Sequence, residues 1–84
     1  MVKVKVFGCF RLDSGIKEIT VHANTVRDLF PLLIQEAKRI NPETTLKEKD
    51  LEGCVVAVNG KQVKINTKLK DGDEVFLVPA VAGG

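Results

Sequence analysis

The residues best placed to do chemistry stand at the end of the sequence, Gly83 and Gly84. The run before them, Val78-Pro79-Ala80-Val81-Ala82, carries no charge, no polar side chain and nothing large after Val81. Such a segment fits a narrow channel in another protein, because glycine lacks a Cβ and adopts backbone conformations closed to other residues. A C-terminal carboxylate has a reference pKa of about 3.3 to 3.7, so it is ionised at neutral pH and transfers nothing until it is activated. Adenylation by ATP is the expected route. Gly84 is then the reactive residue and Gly83 its passage. A Gly-Gly ending also arises by chance in a frayed terminus rich in small residues. The reading therefore depends on what the preceding residues build.

Other reactive side chains are few. Cys9 and Cys54 lack the spacing of a zinc site or the density of a disulfide framework, and both are expected to be ordinary packing residues. His22 is the only histidine, a poor metal site alone, and is expected at the exposed end of a strand. No bound cofactor or metal is expected; ATP would belong to an activating enzyme.

With 84 residues the chain makes one domain, and 44% hydrophobic with 29% charged residues is ordinary globular composition. No run approaches the length of a membrane span. The start, Met1-Val2-Lys3-Val4-Lys5-Val6, lacks the apolar core of a signal peptide, so a cytoplasmic location is expected. Thirteen basic and eleven acidic residues give a net charge of +2, too small to argue for nucleic acid.

The elements that would position the tail follow from periodicity. Residues 2–10 read as a strand with Val2, Val4 and Val6 facing the core and Lys3, Lys5, Phe7 and Cys9 on the other face. Residues 11–15 carry turn residues, and 16–22 a second strand completing a hairpin. Thr25 is the expected N-cap of an amphipathic helix over 26–40, with Asp28 favourable in its first turn. Pro31 predicts a kink or a loosened first turn, and Asn41-Pro42 the helix end.

Residues 41–53 read as a polar loop pinned by Leu46 and Leu51. The apolar run 54–58 predicts a strand inside a sheet, and Asn59-Gly60 a hairpin turn into a short outer strand over 61–65. Gly72 provides a turn before the last strand, 75–78, which is apolar throughout and belongs between the first and third strands. Pro79 ends it. The expected fold is α+β, a β-grasp of order ββαβββ with a mixed sheet of about five strands and one crossover helix; residues 1–78 form the domain and 79–84 a flexible tail.

The run Ala57-Val58-Asn59-Gly60, followed by Thr67 through Gly84, resembles the ubiquitin-like sulfur carriers of the MoaD/ThiS family, most of all the small subunit of molybdopterin synthase. Lys3-Val4, Phe7 and Arg11 look like that subunit's opening, and residues 25–29 like its helix start. Two positions depart from the pattern: Ala80 and Lys68 stand where the family commonly has proline. The resemblance implies that an E1-like adenylyltransferase activates Gly84, that a persulfide enzyme supplies sulfur, and that the resulting thiocarboxylate serves the large subunit of molybdopterin synthase in building the pterin dithiolene.

Phe7 and Phe76 are expected to share the outer face of the sheet as an apolar docking patch, with Arg11 near the partner by family position and Pro79 and Val81 entering it with the tail. Two other readings stay open: a protein modifier joined to lysines through Gly84, and a sulfur carrier for transfer RNA thiolation.

Overall fold

The computed structural model describes residues 1–80. A five-stranded mixed sheet has the order β2-β1-β5-β3-β4, with β1 over Val2–Val6, β2 over Glu18–Val21, β3 over Val55–Val58, β4 over Lys61–Val63 and β5 over Glu74–Val78. β5 lies parallel to β1 (Val4 beside Val75) and antiparallel to β3 (Val56 beside Leu77), so the most apolar strand takes the centre, as expected. Helix α2, Val26–Ile40, crosses one face. Its Leu29, Phe30 and Leu33 form the core with Val2, Val4, Val6, Val56, Val75 and Leu77, all buried.

The start of α2 shows why it begins at Val26. Thr25 Oγ1 accepts from the Asp28 backbone N–H and Asp28 Oδ2 accepts from the Thr25 N–H, each at 3.2 Å, closing a reciprocal capping box. The next two orphan donors, Val26 and Arg27 N–H, reach the carbonyls of Thr67 and Ile65 at 3.0 and 2.8 Å. Ile65 is thereby drawn out of the outer strand, which stops at Val63. Pro31 lies on the exposed side, and the helix runs unbroken through it.

Two connections differ from expectation. Residues 8–14 are not the end of a strand and a turn but a helix, α1 (Gly8–Ser14), so β1 and β2 pair antiparallel without a tight hairpin. Phe10 and Ser14, one helical turn apart, both turn inward; Ser14 Oγ donates to the Phe10 carbonyl at 2.6 Å and accepts from the Ile16 N–H. Two buried residues are too few to show a period. The 41–53 loop likewise contains a short helix, α3 (Glu48–Glu52), while Leu46 and Leu51 are buried as pins. Asp13 ties α1 to the end of α2: its carbonyl accepts from Asn41 Nδ2 at 2.8 Å and its carboxylate from Thr44 Oγ1 at 2.6 Å.

The entry to β5 is clamped by Asp73. Its carboxylate accepts from the Lys70 N–H at 2.8 Å and Asn59 Nδ2 at 2.9 Å, while Asn59 Oδ1 accepts from the Glu74 N–H at 3.0 Å. The backbone bond from Lys70, then that from Asn59, holds the Asp73 carboxyl below its ordinary value of 3.8. A depressed carboxyl pKa stabilises the fold at pH values above the unfolded value, and that contribution is lost as pH falls through the folded one. Asp73→Asn is therefore expected to lower the thermal midpoint at pH 7, the gap to the parent narrowing as pH falls below 3.8, as calorimetry across that range would show.

Candidate functional site

The site grows from the far end of β5. Strand alternation sends Val75 and Leu77 into the core and leaves Phe76 and Val78 on the outer face. The Phe7 N–H donates to the Leu77 carbonyl at 3.1 Å, continuing the β1–β5 ladder past Val6 and setting Phe7 beside Phe76. Their rings meet edge to face, centroids 5.4 Å apart at 70°. Such a pair is worth about 0.5–1.5 kcal/mol beyond its buried area. Both rings are half-buried, so the expected sharing of one outer face is observed.

The patch has a charged border and an apolar extension. Lys5 Nζ sits 5.7 Å from the Phe76 ring centroid and 3.7 Å from Glu74. The ammonium is thus oriented over the ring by a carboxylate close to its register partner, a surface pair worth at most about 1 kcal/mol. On the other side, Val55 and Val78 are register partners, each 38% exposed. Val55 is absent from the site residues expected from sequence. The signal that points to it is the parity of β3, where Val55 and Ala57 alternate with the buried Val56.

Pro79 leaves the strand against Gly8. At Gly8 the backbone has φ +63°, and a Cβ there would lie 3.1 and 3.2 Å from Cγ and Cδ of Pro79. Glycine suits the left-handed backbone there, and an added side chain would press Pro79 outward by a few tenths of an ångström. Beyond, Pro79 and Ala80 line an open cleft of about 380 Å³ between α1 and the α3 region, shared with Cys9, Asp13, Leu46 and Asp50. Val81, Gly83 and Gly84 lie outside the described residues.

The remaining candidates fall as follows. Arg11 is exposed, but in the last turn of α1 rather than at the end of β1. Its neighbour Leu12 is 86% exposed, an apolar side chain expected from sequence to lie in a turn. Cys9 is exposed too, because α1 rotates it off the strand face; it is not a packing residue as expected. Cys54 does pack against the core, and burial pushes its thiol up to about 11. The nucleophile is the thiolate, which burial disfavours at Cys54. His22 is exposed just past β2. Among the described residues, no three His, Cys, Asp or Glu side chains group to hold a metal, and no helix is long and apolar enough to cross a membrane.

The ThiS family model matches residues 4–84. The chain belongs to the ThiS family. A relative from Archaeoglobus fulgidus, named "Putative sulfur carrier protein", is 32% identical over 78 residues, 87% of this chain and 89% of that one. Among solved structures, the small archaeal modifier protein 1 of Methanosarcina acetivorans is similar at 26% identity and a TM-score of 0.71, covering 99% of this chain and 95% of that chain. A chain in the complex of subunits 1 and 2 of the molybdopterin-converting factor from Helicobacter pylori is similar at 29% identity and a TM-score of 0.60, covering 99% and 97%. The fold of this ThiS family member is the ubiquitin-like β-grasp, with α1 and α3 lying in its connections.

The Gly8–Pro79 contact gives a test of how the tail root is held. Gly8→Ala is expected to cost about 1–2 kcal/mol for the left-handed backbone alone, with a further loss from displacing Pro79. Gly60, at φ +86° with nothing within 4 Å of where a Cβ would stand, is the control for the backbone part. Urea denaturation should show the larger loss for Gly8→Ala; equal losses would mean that Pro79 is not held there.

Proposed function

We propose that this chain is a sulfur carrier whose Gly84 carboxylate is converted to a thiocarboxylate. What supports the reading most is the way β5 runs from the centre of the sheet to Pro79, clamped at Gly8, directly ahead of an uncharged tail ending in Gly83-Gly84. A rigid base followed by residues without bulky side chains presents one backbone carboxylate to another protein at small entropic cost. The likeness to the Archaeoglobus relative agrees with it.

In the proposed sequence an E1-like adenylyltransferase binds the chain with ATP, and a Gly84 carboxylate oxygen attacks the α-phosphorus. Pyrophosphate leaves, and the acyl-adenylate carries AMP as its leaving group. The persulfide of a sulfur-donor enzyme then attacks the acyl carbon and displaces AMP. A thiol of the donor cleaves the new S–S bond, leaving a disulfide on the donor and a thiocarboxylate on Gly84. Phe7, Phe76, Val55 and Val78 form the docking face for the activating enzyme, with Arg11 and Pro79 at its border and Val81 entering the channel. We assign the large subunit of molybdopterin synthase as the recipient, in keeping with the likeness to the Helicobacter chain solved with its partner subunit.

A second reading is favoured by the likeness to the archaeal modifier, with its higher TM-score of 0.71. There the same adenylate is passed to lysine amines instead of sulfur. Gly-Gly remnants on lysines of other proteins in a cell digest would favour it.

Incubation with ATP, a cognate activating enzyme and a persulfide donor should raise the intact mass by the difference between sulfur and oxygen, and deletion of Gly84 should abolish the change. An unchanged mass with an enzyme that is active on its own carrier would refute the carrier reading. Phe76→Arg should leave the fold intact and raise the KM of the activating enzyme for the carrier by about tenfold or more, since aromatic side chains dominate such interfaces.

A further inference from the structure

The sheet has two edges, and they are not alike. β4 is three residues long, opens on Lys61 and is followed by Lys64, and shortness with flanking lysines is a common guard against unwanted strand pairing. β2 has no proline, and its register with β1 is continuous from Val2 beside Val21 to Lys5 beside Glu18. The Val6 N–H donates to the Lys17 carbonyl at 3.2 Å. Antiparallel alternation then turns the backbone groups of residues 17, 19 and 21 toward β1 and those of 18, 20 and 22 outward. Beneath this open edge lies a groove of about 530 Å³ between β2 and α2, lined by Ile19, Val21, Leu32, Gln35 and Arg39.

We propose that the β2 edge pairs with the β2 edge of a second copy of this chain, antiparallel about a two-fold axis at Thr20. Such an isologous contact must be self-complementary, and this register is. Thr20 meets Thr20 on the axis. Glu18 of each copy stands opposite His22 of the other, so the imidazole N–H donates to the carboxylate twice by symmetry. On the inner face Ile19 stands opposite Val21, and these side chains, half-buried in the single chain, close the groove from both sides. Cross-strand Thr–Thr and aliphatic pairs stabilise sheets, whereas like charges directly opposed destabilise them. A register with Glu18 facing Glu18 is disfavoured on that ground. β1 separates β2 from β5, so the root of each tail and the Phe7–Phe76 face stay clear of the contact.

Sedimentation velocity from micromolar to millimolar protein tests the pairing without reference to sulfur chemistry. The weight-average mass should rise from 9.2 kDa toward twice that value with concentration. Thr20→Lys, which sets two ammonium groups across the axis, should weaken association by about tenfold. Glu18→Lys and His22→Glu should each weaken it, and the double exchange should restore it. All three positions are exposed, and circular dichroism would confirm that the variants fold. A single 9.2 kDa species up to millimolar concentration, or a dimer indifferent to Thr20→Lys and to the charge exchange, would overturn the proposal and leave the edge to a different occupant.

Discussion

Everything in this molecule is arranged around a central strand that must be covered on its inner face and along both edges. β5 is apolar along Val75-Phe76-Leu77-Val78, and its backbone groups are satisfied only if strands flank both edges. β1 supplies one edge and β3 the other, from distant parts of the sequence. Because β1 and β5 run parallel, the chain between them has to cross the sheet, and α2 makes that crossing while burying the inner face. Leu29, Phe30 and Leu33 are then fully enclosed against Val75 and Leu77.

Both ends of β5 are also fixed, by different means. At the entry Asn59 donates from its carboxamide to the Asp73 carboxylate, and each of the two side chains also accepts from a backbone N–H, that of Lys70 at Asp73 and that of Glu74 at Asn59. At the exit the constraint is steric, Pro79 resting where Gly8 has no side chain. A strand held at both ends loses little further freedom when a partner grips the chain beyond it.

Most of this framework is legible in the sequence because it rests on strong local patterns. The alternating valines of β1, the apolar stripe of α2 and the Asn59-Gly60 turn each specify one structure. What the sequence does not reveal is set by contacts distant along the chain. α1 is stabilised by Phe10 and Ser14 entering a core made elsewhere and by Asp13 bonding to Asn41 and Thr44 across 28 and 31 residues. Alternation extrapolates from Lys3 and Lys5 through Cys9, but Gly8 breaks it with a left-handed backbone. The pairing of Phe7 with Phe76 is unaffected because Phe7 precedes the break. Val55 and Leu12 escape a sequence reading for a different reason: their exposure follows from sheet order and from a helix too short to carry a periodic signal.

The register of β5 couples the fold to its surface. A one-residue slip would bring Phe76 and Val78 inward and expel Val75 and Leu77, exchanging every inner and outer residue at once. The aromatic patch and the core therefore cannot vary independently: any packing that satisfies α2 also presents Phe76 beside Phe7. The same register fixes the direction in which Pro79 departs, since the Leu77 carbonyl must meet the Phe7 N–H just before Gly8. One hydrogen-bonded ladder thus sets the aromatic patch and the direction of Pro79 together.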